Sequence, residues 1–489
     1  MIAPIRRVGF GIIALLAVLV GQLTYVHLVR AEDLNADPAN IRLVLRDFAR
    51  GRGPIVTADG VIIARTVLVD DEIGFQREYP FRSLYAHITG FQSLRYGLTG
   101  VERTYDSVLL GRTLDLQFGD IGSIFTAEDP EGTLRLTIDS EAQTIARDAL
   151  GRRRGSVVVL DTRTGGIVAM YSNPSYDPNL IATHDANAAG AFFDAFNEDP
   201  SNPMRSRAYR DRFPSGSTFK IVTTGIALDA GVATPERVFP QLTELDLPLT
   251  DRTLSNFGGN RCGGTLAESF RDSCNTTFGR LGLDLGEQLA AGIERYGLNV
   301  STPPLDLDPE MVRSIGPEQG TFKAEAPLFA QAAIGQGAIA VTPLEMAMIV
   351  QAVANGGQML VPHVMAEIEN ERAEIVDRFA PQRFTTAMTP ATAAAITEMM
   401  VDVVNNGTGT AAQIPGIQVA GKTGTAQLGD RTKAPHAWFV GFAPAATPRY
   451  AIAVIVENGG DLGSEATGGR IAAPIAQQVL STILSQQVS

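Results

Sequence analysis

The run Val8 to Val29 contains no Asp, Glu, Lys or Arg. As a helix it would span about 33 Å, enough to cross a hydrocarbon core of about 30 Å. This stretch predicts one membrane-spanning helix and obliges the rest of the chain to fold on one side of a bilayer. Arg6 and Arg7 precede it, while Glu32, Asp33 and Asp37 follow it. The positive-inside rule therefore predicts a cytoplasmic N-terminus with about 460 residues outside. A cleaved signal peptide is the other reading, but the apolar stretch exceeds an ordinary signal core and no clear A-x-A site follows. Residues 1–30 are expected to form a cytoplasmic stub and an uncleaved anchor.

A chain of 489 residues exceeds one compact core, at about 150 residues per domain. Its net charge of −13, with no basic stripe, argues against nucleic-acid binding. From residue 31 to 138 the chain reads as short strands and turns, including Arg50 to Ile55 and the turn Ala58-Asp59-Gly60 before Val61-Ile62-Ile63. This predicts a small β-rich pedestal domain, with Gly119 to Gly132 as a hinge into a larger unit at 139–489.

In the larger unit, Glu141 to Leu150 has helical periodicity, and strand patterns run over Ser156 to Leu160 and Ile167 to Tyr171. Further strand patterns cover Val419 to Thr425, Ala437 to Phe442 and Tyr450 to Glu457. Ile471, Ile475, Val479 and Ile483 then repeat every four residues, the stripe of a helix that must pack on something. The expected class is α/β in the α+β sense: a five-stranded antiparallel sheet flanked by terminal helices, with an all-helical subdomain inserted between strands. A pocket is expected where the two subdomains meet.

Three short motifs fall near that junction: Ser217-Thr218-Phe219-Lys220, Ser273-Cys274-Asn275 and Lys422-Thr423-Gly424-Thr425. Pro214 and Gly216 before Ser217, an apolar pattern after it and Gly231 beyond place Ser217 in the first turn of a helix. Lys220, three residues on, shares its helical face and can activate the hydroxyl. The lysine can be a base only when neutral, and lowering its pKa from about 10.4 to near 7 requires about 4 to 5 kcal/mol. Burial and a second cation, Lys422, are the proposed sources. Ser273 could relay a proton, Asn275 could hold the acyl donor's backbone, and Thr423 and Thr425 could receive a carboxylate. Each motif alone has a plain structural reading: a helix cap with a solvated lysine, or an edge strand entering a turn. Their order and local setting favour the chemical reading.

Cys262 and Cys274 permit one disulfide in an oxidising compartment, or are two small buried thiols. Neither a metal nor another cofactor is expected. His27, His87, His184, His363 and His436 make no His-Glu-x-x-His pattern, and His436, beside Trp438 and Phe439, reads as a packed structural residue.

The motif set resembles that of class B penicillin-binding proteins, with Ser-Cys-Asn where Ser-Asp-Asn is usual. Tyr96-Gly97-Leu98-Thr99-Gly100-Val101-Glu102, Ala333-Ile334-Gly335-Gln336-Gly337 and Thr342-Pro343-Leu344-Glu345-Met346-Ala347 are similar to the family as well. The modest length and small pedestal most resemble the short penicillin-binding protein A type. The resemblance implies a serine transpeptidase and β-lactamase-like fold and a bacterial plasma-membrane enzyme that cross-links peptidoglycan stem peptides at D-Ala-D-Ala. Ser217, Lys220 and Ser273 would be catalytic, and Asn275, Lys422, Thr423, Gly424 and Thr425 would bind substrate. The backbone N–H groups of Ser217 and Thr425 would form the oxyanion hole. β-Lactams would be covalent inhibitors, and a multi-span membrane glycosyltransferase would supply glycan. The rival functions are a D-Ala-D-Ala carboxypeptidase, a β-lactamase or a non-catalytic β-lactam-binding scaffold. Glu294 to Asn299 superficially resembles the deacylating Glu-x-x-x-Asn of class A β-lactamases, but is one residue too long. Glu294 therefore reads as a solvated helix residue.

Overall fold

A computed structural model describes residues 2–28, 30, 47–113, 132–427 and 433–486. Two units separate by their internal contacts. One comprises Met1–Gly51 and Val67–Gln76, the other Arg52–Thr66 and Arg77–Ser489. The first contains a continuous helix, Ile2–Leu28. Within it, Arg6–Val26 has a mean hydropathy of 2.0 and is long and apolar enough to cross a membrane. Most of the proposed hinge, and Glu32, Asp33 and Asp37, lie outside the described residues.

The sheet expected from the strand patterns forms the centre of the second unit. Its order is Ala420–Ala426, His436–Ala443, Tyr450–Val456, Gly155–Asp161 and Ile167–Asn173, antiparallel throughout. Every residue of the His436 and Tyr450 strands is buried. Unbroken burial requires cover on both sheet faces. The terminal helices Ser140–Leu150 and Ala473–Ser485 pack on one another, and Pro343–Ala354 packs on the central strands. Ile471, Ile475, Val479 and Ile483 are all buried, which accounts for their four-residue spacing. Helices of the inserted region include Lys220–Asp229, Asn275–Leu285 and Pro390–Asn406.

A second sheet joins Ile375–Arg378, Met365–Glu369, Thr133–Leu136, Ile55–Val56 and the strand beginning at Ile62 in that order. Its first two strands come from far along the chain, a pairing that no local pattern announces. Beside it, Glu102 is fully buried between Arg52 and Arg77, with both ion pairs at 2.6 Å. Opposite charges and hydrogen bonds hold the carboxyl below its ordinary range despite burial, the largest and opposing influence.

Candidate active site

The Ser217 turn is built against the Lys422 strand by glycines. Gly216 has φ +54°, and a Cβ there would lie 2.8 Å from the Thr425 carbonyl oxygen. A Cβ on Gly424 would come within 2.7 Å of the Ser215 carbonyl oxygen. Only a bare backbone permits this approach. Gly216 N–H donates to Gly335 O at 2.9 Å, and Trp438 Nε1 donates to Pro214 O at 3.0 Å. Ser217 occupies the 3-10 turn Gly216–Phe219, which runs into helix Lys220–Asp229. It is half-buried.

Lys220 and Lys422 are both fully buried. Their amines converge on Ser273 Oγ, at 3.3 Å from Lys220 Nζ and 3.0 Å from Lys422 Nζ. Lys220 also donates to Ser273 O at 2.7 Å and to Asn275 Oδ1 at 2.9 Å. Lys422 donates to its neighbour's carbonyl, Thr423 O, at 3.1 Å. The lysines lie over the rings of Phe278 and Phe270, at 5.2 and 5.7 Å from the centroids.

Burial drives the Lys220 pKa well below its ordinary value, and the Lys422 charge pushes it further down. Burial alone lowers Lys422 to about 7. Both amines are thereby pushed towards their neutral forms, Lys220 by burial and by the neighbouring charge. A neutral amine has two N–H donors and one lone pair. The two carbonyl-type acceptors, Ser273 O and Asn275 Oδ1, take both donors of Lys220, leaving the lone pair to accept from a hydroxyl. The lysine as placed bonds to Ser273 and Asn275; Ser217, one turn earlier on the chain, is not among its hydrogen-bond partners.

Ser273 has φ +62°, an uncommon left-handed conformation for a serine. Cys274 follows it, buried and disulfide-bonded to Cys262, with the two Cα atoms 5.5 Å apart. The two-thiol alternative is thereby set aside. Asn275 Nδ2 donates to Ser255 O at 3.1 Å, and Asn256 Oδ1 accepts from Thr276 N at 3.0 Å. Both contacts tie the start of the Asn275 helix to the chain twenty residues earlier.

Lys422 and Gly424 alternate with Thr423 and Thr425 along one strand, so the hydroxyls share the face opposite to the lysine. Thr423 is buried and Thr425 half-buried. In its sheet this strand pairs with the His436 strand, and its other edge has no strand partner among the described residues.

Lys220, Ser273, Asn275 and Lys422 are joined by hydrogen bonds, and Gly216 and Gly424 bring the backbone of the Ser217 turn against the third motif, while Ser217 is not directly bonded to Lys220. Sequence reasoning missed Phe270, Phe278 and Asn256. The rings had only a helical apolar pattern to distinguish them, and Asn256 acts across a long loop. His436 is packed as expected: Phe213 meets its ring edge-on at 5.4 Å, and its Nδ1 accepts from Asn458 N–H at 3.1 Å. Burial lowers its pKa to about 4. Glu294 is half-buried, and its carboxylate accepts a solvent-exposed hydrogen bond from Gln319 Nε2 at 2.7 Å.

A family model for the penicillin-binding protein transpeptidase domain matches residues 155–481. Another, for the penicillin-binding protein A dimerisation domain, matches residues 52–134. The chain therefore belongs to the penicillin-binding protein transpeptidase family. It is 39% identical over 500 residues to the peptidoglycan D,D-transpeptidase PbpA of Mycolicibacterium smegmatis, covering 99% of this chain and 100% of that protein. For PbpA of Mycobacterium tuberculosis the identity is 37% over 498 residues, with 99% of each covered. Among solved structures, the ceftriaxone acyl-enzyme complex of penicillin-binding protein A from M. tuberculosis matches with a TM-score of 0.83 and 36% identity, over 90% of this chain and 100% of that one. The penicillin G acyl-enzyme complex of the same protein gives a TM-score of 0.81 at 36% identity, over 89% and 100%.

Proposed function

We propose that this chain is a peptidoglycan D,D-transpeptidase that joins stem peptides through an acyl-enzyme on Ser217 and is acylated there by β-lactams. The observation that carries this reading is the Ser273 hydroxyl held between two buried lysines beside the glycine-built turn of Ser217.

Neutral Lys220 takes the Ser217 proton as Oγ attacks the penultimate D-Ala carbonyl. The backbone N–H groups of Ser217 and Thr425 receive the oxyanion. As the C–N bond breaks, Lys220 returns the proton through Ser273 to the departing D-Ala amine. A second stem's amine then attacks the ester, and the same groups run in reverse. Lys422 orients Ser273 and, while charged, attracts the substrate's carboxylate, which Thr423 and Thr425 bind by their hydroxyls. Asn275 holds the acyl donor's backbone, and Gly424 lets the strand approach the Ser217 turn.

The N-terminal helix anchors the enzyme in the bacterial plasma membrane as a single span, with its start in the cytoplasm. A pedestal over residues 31–138 carries the transpeptidase unit, 139–489, and a multi-span glycosyltransferase supplies the glycan. Arg6 and Arg7 before the apolar run support the orientation.

Fluorescent penicillin should label the wild type and leave Ser217→Ala unlabelled. Stem-peptide substrates should then yield cross-linked dimer in excess of hydrolysed monomer. A labelled Ser217→Ala protein would remove the nucleophile assignment, and hydrolysis without dimer would make the enzyme a carboxypeptidase.

A further inference from the structure

Thr408 lies outside the three motifs, on the segment after helix Pro390–Asn406. Its Oγ1 is 2.5 Å from Thr423 Oγ1. Thr423 is buried, while Thr408 is exposed. The backbone around Thr408 is held firmly: Gly407 N and Gly409 N both donate to Val403 O, at 3.1 and 3.0 Å. From the other side Gly469 closes on it, since a Cβ there would lie 2.4 Å from the Thr408 carbonyl oxygen and 3.9 Å from Thr423 Cγ2. The hydroxyl of an exposed residue is thus fixed against that of a buried residue in the third motif.

Each threonine hydroxyl has one proton and two lone pairs. With the site empty, either can donate to the other. A carboxylate has only lone pairs to offer, so when it meets Thr423 it must take the Thr423 proton as its hydrogen bond. The short contact to Thr408 then remains favourable only if Thr408 donates into Thr423 Oγ1. Such a chain polarises in one direction, and each bond strengthens the next.

We infer that Thr408 is a positioning residue for carboxylate recognition, acting through Thr423 to turn that hydroxyl's proton towards the acid group of a stem peptide or β-lactam. The inference rests on Thr423 being a carboxylate contact. Thr408 touches the substrate only through that neighbour, and its segment gives the strand's recognition face a third hydroxyl that the motif does not contain.

The test uses the full chain as wild type, Thr408→Val, Thr408→Ser and Thr423→Val. For each, the second-order rate of acylation is measured with penicillin G and with its methyl ester, which lacks the anionic carboxylate. The readout is the acid-to-ester rate ratio. Loss of one hydrogen bond in the chain should lower that ratio about fivefold in Thr408→Val, with Thr408→Ser restoring it and the thermal midpoint unchanged. Thr423→Val should lower it at least as much. A ratio that falls in Thr423→Val but not in Thr408→Val, or that Thr408→Ser fails to restore, overturns the role of Thr408. An unchanged ratio in Thr423→Val overturns the carboxylate contact itself, and the inference with it. If Thr408→Val melts early, Thr408→Ala is read by the same ratio.

Discussion

Replacing Lys422 by Met should make the protein more stable at neutral pH, and the advantage should shrink as pH rises. Burial holds the amine near 7 in the folded protein, against an ordinary value of 10.5. Between those values the unfolded chain binds one more proton than the folded one, so wild-type stability climbs with pH. Each unit is worth about 1.4 kcal/mol, so from about pH 7 to about pH 9.5 the wild type should gain about 3 kcal/mol on Lys422→Met. The lost hydrogen bonds to Ser273 and Thr423 offset the whole curve and leave its slope alone. Urea unfolding of the full chain in detergent measures this directly, because the single tryptophan, Trp438, is fully buried and reports loss of the sheet. Parallel stability curves for the two proteins would refute the reasoning, since they would mean that Lys422 titrates as it does in water.

Other substitutions separate architecture from chemistry. Gly216→Ala would put a methyl group on the Thr425 carbonyl at φ +54°; penicillin acylation should fall by more than about tenfold, measured beside an unchanged circular dichroism spectrum. The acylation rate should fall as pH drops through the depressed Lys220 value, where the base gains its proton. It should fall again above about 7, where free Lys422 loses its charge; a stopped-flow pH profile tests both limbs. Cys262→Ser with Cys274→Ser opens a loop of sequence separation 12. This should cost about 3 kcal/mol by the chain-entropy argument and slow acylation through a freed Ser273, read by urea unfolding and penicillin labelling. Glu102→Ala leaves Arg77 buried without its carboxylate and Arg52 with Asp106 alone. The expected cost is about 3 to 5 kcal/mol, measured by the same unfolding.

Much of this was visible in local residue order. The period of the last helix announced a buried stripe, and the short apolar runs from Ala437 onward announced strands, because a run of four to eight apolar residues suits a strand covered on both faces. Gly216 entered only as part of a helix start, and its close approach to the Thr425 carbonyl was set by the fold. The bond between Cys262 and Cys274 stayed open because Cα separation depends on how the intervening chain turns back. Likewise, Met365–Glu369 pairs with Thr133–Leu136 across more than two hundred residues, and no local propensity encodes such a partner.

The linear order of residues by itself determined the membrane-length helix, the strand and helix periods, and which side chains could supply a nucleophile, a base and a cation. Tertiary structure decided that Lys220 and Lys422 meet over one hydroxyl, that their amines are dry enough to lose protons, and that Thr408 reaches Thr423. The physical reason is that a pKa and a hydrogen bond depend on distance and burial. Both are set by packing between segments that are remote along the chain.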